Sequence, residues 1–142
     1  MQKMKSGLMM VCLTVLLSCA ALMMNAPTAS AMSLADLQGT YRVVEFDSLW
    51  SGMGYRAKGR VISLKMEDGQ LIGRVAQKDG DWEVGEEMIH HVFVDNGTVN
   101  CTVYIGSGKD VECIMRISQN GSTIRFDNSG SGPEHLWTLR RI

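Results

Sequence analysis

Four turn dipeptides, Asp68-Gly69, Asp79-Gly80, Asn96-Gly97 and Asn120-Gly121, punctuate this chain at short intervals. Such pairs supply the positive φ values that tight hairpin turns demand. Glycine-serine pieces at Gly106 to Gly108 and Ser129 to Gly132 add two more breaks. Between the breaks lie runs rich in β-branched and aromatic residues: Thr40 to Asp47, Arg60 to Glu67, Gln70 to Gln77, Glu87 to Asp95, Thr98 to Ile105, Val111 to Ser118, Thr123 to Asn128 and His135 to Ile142. No segment after residue 31 sustains a helical period. The pattern predicts an all-β chain of about eight short strands in an up-and-down meander, with Ser33 to Gln38 a short helical or capping turn.

Each tight turn dictates which side chains share a face. Across Asp68-Gly69, Met66, Leu64 and Ile62 face Leu71, Gly73 and Val75. Across Asn96-Gly97, Val94, Val92, His90 and Met88 face Val99, Cys101, Val103 and Ile105. In VNCTVYIGSGKDVECIMRIS, Cys101 and Cys113 lie symmetrically about Ser107, so if Tyr104 faces Asp110 and Val103 faces Val111, the cysteines face each other. A cross-strand disulfide is the expectation. The same apolar face continues through Met115 and Ile117 to Ile124 and Phe126. A sheet this long with one apolar face must curl or split, and meander order favours closure into a single antiparallel barrel.

The first thirty-one residues read as a secretory signal peptide: Lys3 and Lys5, an apolar run from Leu8 to Met24, then Ala29-Ser30-Ala31. Cleavage after Ala31 would leave a domain of residues 32–142 in the periplasm or outside the cell, with no membrane span. An alternative is lipoprotein processing at Leu16-Leu17-Ser18-Cys19, which would leave a lipid anchor on Cys19. Apolar sequence continuing past Cys19 favours the later site. The leader also holds Cys12 and Cys19, so the exported domain keeps one cysteine pair, as an oxidising compartment permits. Fifteen acidic residues outweigh its basic ones without a long run of one sign. Nothing in that balance points to nucleic acid.

Catalytic constellations are absent from the pattern. His90 and His91 are strand neighbours expected to point to opposite faces, which disfavours joint metal ligation, and His90 is expected inward as a satisfied core or cavity histidine or a polar ligand anchor. The serines beside glycines lack a nucleophile-elbow context. Paired carboxylates such as Glu86-Glu87 sit at turns, and no C-x-x-C motif occurs. The reading is a non-enzymatic protein with no cofactor and no metal.

The segment from Ser48 to Arg60 exceeds the usual hairpin length, and long loops in compact domains are often functional. It carries Leu49, Trp50, Met53 and Tyr55 beside the cations Arg56, Lys58 and Arg60. Its rings and charges would suit an amphipathic ligand with an acidic head, and the tentative ligand-binding set is Trp50, Met53, Tyr55, Arg56, Lys58 and His90. Met66, Val75, Val103 and Met115 would line the lumen, and Gly73 opposite Leu64 would help leave space.

Leu37-Gln38-Gly39-Thr40-Tyr41 looks like the opening-strand signature of lipocalin and calycin barrels, in which a glycine precedes an aromatic ring by two residues. Leu136-Trp137-Thr138-Leu139-Arg140 resembles their closing strand, where a basic side chain lies across the barrel bottom near that ring. Asp68 to Val75, Gly85-Glu86, Gly108-Lys109 with Cys113 four residues on, and Trp137 near Arg140 together resemble a family of small exported bacterial proteins. That family has a lipocalin-like barrel and no established function. The resemblance implies a small apolar or amphipathic ligand in the barrel, with the 49–60 loop over its mouth. Ser51-Gly52-Met53-Gly54-Tyr55 is also similar to the S-G-x-x-Y motif of bacterial lysozyme inhibitors, which implies the alternative of a filled barrel that binds an exported protein partner through that loop.

Overall fold

Eight antiparallel strands follow one another around a closed barrel in sequence order, and the first pairs with the last. The computed structural model describes residues 32–46, 58–106, 108–130 and 134–142. The strands are β1 (Gly39–Phe46), β2 (Val61–Glu67), β3 (Gln70–Val75), β4 (Glu87–Asp95), β5 (Thr98–Gly106), β6 (Lys109–Ile117), β7 (Thr123–Asn128) and β8 (His135–Arg141). A 3-10 turn, Leu34–Leu37, lies just before β1. Ser33 begins it: its backbone N–H and hydroxyl both donate to the Asp36 carboxylate, at 2.7 and 2.9 Å. Those bonds hold the Asp36 carboxyl below the usual carboxylate range.

Turn chemistry sets the register as expected. Asp68-Gly69 and Asn96-Gly97 take φ of 48° and 82°, and of 46° and 77°. Positive φ at both central positions defines the type I′ turn, whose twist matches that of the flanking strands. Met66 therefore faces Leu71, Leu64 faces Gly73 and Ile62 faces Val75. Cys101 faces Cys113, Val103 faces Val111 and Tyr104 faces Asp110. Met115 faces Phe126 and Ile117 faces Ile124.

One hairpin departs from its expected register. Val94 does face Val99, but a bulge between His90 and Phe93 shifts the rest of β4, so Ile89 faces Val103 and His90 faces Thr102. His91 sits in that bulge at φ 48°, the left-handed region that costs a non-glycine residue about 1–2 kcal/mol. An extra residue in one strand reverses which side chains point inward beyond it. Ile89 is consequently buried in the core, while the expected inward residue, His90, lies on the outer face with Thr102.

The barrel interior is filled by its own side chains. Leu64, Ile89, Val103, Ile124, Phe126, Trp137 and Leu139 have no accessible surface, so no water-sized void borders them. Phe126 and Trp137 meet edge to face at 6.3 Å. Gly73 does not leave space. A Cβ built on it would stand 2.8 Å from the Cβ of Ile89, so the glycine is what lets the Ile89 side chain fit. An eight-stranded barrel is just wide enough for side chains to fill.

At the end carrying the 3-10 turn, Tyr41 closes the core. Its hydroxyl lies 2.9 Å from the Leu37 carbonyl and 3.2 Å from that of Gly121. The basic residue that crosses this end is Arg141, one position after the Arg140 expected from sequence. Its guanidinium lies 5.1 Å from the Tyr41 ring centroid, donates to the Tyr41 hydroxyl at 2.6 Å and reaches the carbonyls of Asp36 and Gln38 at 2.9 and 3.2 Å. Burial raises the Tyr41 hydroxyl pKa, against the pull of the Arg141 charge. Among the described residues no helix is long and apolar enough to cross a membrane.

Candidate functional site

At the opposite end of the barrel, the 76–86 connection between β3 and β4 folds onto the rim. Asp79 and Trp82 pair through both backbone bonds, 3.1 and 3.0 Å, around a turn at Gly80. Arg60, just before β2, holds this connection down. Its Nε donates to Asp79 Oδ2 at 2.7 Å, its guanidinium lies 4.8 Å from the Trp82 ring centroid, and Nη1 sits 3.9 Å from the Met88 sulfur. Trp82 in turn meets Tyr104 edge to face at 5.4 Å. A guanidinium that stacks on a ring and bonds a carboxylate tolerates burial better than an ammonium does. Arg60 is accordingly 4 % exposed, so it is a structural pin rather than a free cation.

Of the other residues singled out in that region, Lys58 is exposed beside the rim. Trp50, Met53, Tyr55 and Arg56 lie outside the described residues. The described flanks of that segment, Phe46 on one side and Lys58 to Val61 on the other, belong to this end of the barrel. Sequence marks the connection at 76–86 only by its Asp79-Gly80 turn and by Gly85, Glu86 and Glu87 at its end. What holds it is the pairing of Asp79 and Trp82 with a cation, Arg60, nineteen or more residues away, which spacing does not reveal.

His90 belongs to a polar cluster on the outer wall below the rim, which corrects its placement as a lumen residue. Its Nδ1 lies 2.9 Å from Glu87 Oε1 and its Nε2 3.6 Å from Asp110 Oδ1. The two histidines are not on opposite faces. The bulge brings their rings into a stack, centroids 4.7 Å apart and planes 28° apart. Glu87 also meets Arg74 at 3.2 Å, and Arg74 donates to Glu67 at 2.8 Å. Hydrogen bonds from Arg74 hold the Glu67 carboxyl below its ordinary pKa. Among the described residues no group of three or more histidine, cysteine, aspartate or glutamate side chains is placed to hold a metal ion.

The expected disulfide is not formed. Cys101 and Cys113 are direct cross-strand neighbours, but both are free, buried thiols. Facing positions are necessary for a bridge and not sufficient, because the Cβ vectors must also converge within a narrow geometry. Burial, reinforced by the nearby Cys113, raises the Cys101 pKa, and burial with the charge of Asp127 pushes the Cys113 thiol up to about 12. Thiols held protonated are poor nucleophiles. A groove of about 320 Å³ runs along the outside of β2 and β3, lined by Ser63, Lys65, Glu67, Arg74 and Val84 among others. It is a surface feature, not a lumen.

Comparison with protein-family models, with curated proteins and with solved structures returns no match.

Proposed function

We propose that this chain is a non-enzymatic, exported, lipocalin-like barrel that acts by contact with another exported protein through its loop end. The observation that carries this reading is the filled interior. An apolar guest in the lumen would have to displace side chains such as Ile89, Phe126 and Trp137, which already have no accessible surface. The rim supplies a rigid platform instead, because Arg60 ties the 76–86 connection to the wall through Asp79 and Trp82. Interfaces favour aromatic and arginine groups of this kind when a scaffold preorganises them. The aromatic and cationic segment Trp50 to Lys58 is the recognition element, and its likeness to lysozyme-inhibitor motifs makes lysozyme the first partner to try.

Native mass spectrometry of the mature domain, residues 32–142, tests the reading together with a lysozyme activity assay. The expected results are a bare protein mass, and inhibition that is lost when Trp50 to Tyr55 are replaced by a Gly-Ser linker. A reproducible non-covalent small-molecule adduct in the native spectrum would overturn the reading in favour of a ligand carrier.

A further inference from the structure

Seven arginines lie among the described residues, and five of them have partners. Arg60 bonds Asp79, Arg74 bonds Glu67 and Glu87, Arg116 and Arg125 share Asp127, and Arg141 serves Tyr41 and two carbonyls. The side chains of Arg42 and Arg140 have no ion pair or hydrogen bond among the described residues. Register places these two directly opposite each other on β1 and β8. Their strand neighbours Tyr41, Val43 and Leu139 are buried, while both arginines are exposed, so both side chains leave from the outer face.

Directly paired positions on one face hold their Cβ atoms about 4.5–5.5 Å apart, and like charges there repel. Four of the other arginines meet carboxylates and Arg141 meets oxygens at the barrel end, whereas these two side chains meet neither. Glu45, further along β1, faces Thr138 and accepts a hydrogen bond from its hydroxyl at 3.2 Å. On the other side of Arg140 its partner in β7 is Thr123, a half-buried hydroxyl residue. Two planar guanidinium forks side by side, each able to give two parallel N–H···O bonds, match the oxygens of one tetrahedral oxyanion. A single carboxylate offers only two oxygens and would leave half of those donors unused.

The geometry points to a phosphate-group binding site on the outer wall of the barrel, made by Arg42 and Arg140 with Thr123 beside them. A free phosphate and a phospholipid headgroup present the same chemistry. The site lies on the outer wall next to the loop end, since Arg42 pairs with Val61 at the start of β2.

The test uses the mature domain and two probes: inorganic phosphate, followed by backbone amide NMR, and vesicles of phosphatidylglycerol in phosphatidylcholine, followed by co-sedimentation. Saturable shifts at residues 42, 123 and 140 with phosphate alone assign a free phosphate ligand. Sedimentation with anionic but not neutral vesicles, without a response to phosphate, assigns a lipid-borne group. In either case Arg42→Gln and Arg140→Gln should each weaken binding about tenfold, since each removes a charge-assisted fork. Arg125→Gln, on the same wall but already bound to Asp127, should change it less than about twofold. Thermal unfolding confirms that the variants fold. No response to either probe, or a response that survives the Arg42/Arg140 double variant, overturns the site.

Discussion

Gly73→Ala decides whether the barrel is packed, because the two possibilities predict opposite signs. Alanine in a strand removes roughly 0.5–1 kcal/mol of backbone entropy cost relative to glycine, and a buried methyl contributes about 0.8 kcal/mol. In a roomy lumen the variant should therefore be more stable. Here the new Cβ would stand 2.8, 2.9 and 3.0 Å from Cβ, Cδ1 and Cγ1 of Ile89. Ile89 is itself fully buried and cannot retreat into an open space. Overpacking of this kind costs about 1–3 kcal/mol, and here the closest atom is a Cβ fixed to the backbone, which places the clash at the upper end of that range. The net expectation is a loss of about 1 kcal/mol, or about 4–8 °C in Tm for a domain near this size. Ile89→Ala should also cost less in the Gly73→Ala background than alone, because the two side chains compete for one volume. Calorimetry of the four proteins measures both effects. An unchanged or raised Tm for Gly73→Ala would refute the packed-barrel argument.

Four further outcomes follow from the geometry. Both thiols have folded-state pKa values raised above the ordinary thiol value of 9.0, so their contribution to stability is fully present below pH 9 and is lost as pH rises, by about 1.4 kcal/mol per thiol per pH unit; urea titrations of reduced protein at pH 8 and 10.5 should show this slope, and Cys101→Ala/Cys113→Ala should flatten it. In the same reduced protein, iodoacetamide should add nothing at pH 8 and two groups after denaturation, and partial native labelling would count against their burial. Arg60→Met should destabilise by about 1–3 kcal/mol, since it strips Asp79 and Trp82 of their partner, and should expose the 76–86 connection to limited proteolysis; a resistant connection would mean that Arg60 is not the pin. His91→Gly relieves a positive φ and should leave stability unchanged or raise it by up to about 1 kcal/mol, whereas a clear loss would argue against the bulge.

The strand count, the meander order and three of the hairpin registers were legible in the chain because they are local: a turn glycine such as Gly69, Gly108 or Gly121 takes positive φ, φ sets the turn, and the turn aligns its own flanks. Four of the named site residues, Trp50, Met53, Tyr55 and Arg56, remain expectations from sequence. Arg140 was named from sequence as the cation crossing the barrel bottom, but alternation along β8 turns Arg140 outward and leaves that place to Arg141.

By itself, then, the sequence determined that alternating runs and tight turns make one sheet with one apolar face. Tertiary structure decided the rest, since each remaining fact depends on contacts between distant strands. The bulge at His91 moves His90 from lumen to outer wall, Ile89 occupies the space that Gly73 concedes, and Arg60 finds Asp79 and Trp82 nineteen or more residues away. Closure alone brings Arg42 beside Arg140. Binary pattern fixes which side chains point inward and says nothing of how much volume they leave, which is a property of the closed barrel.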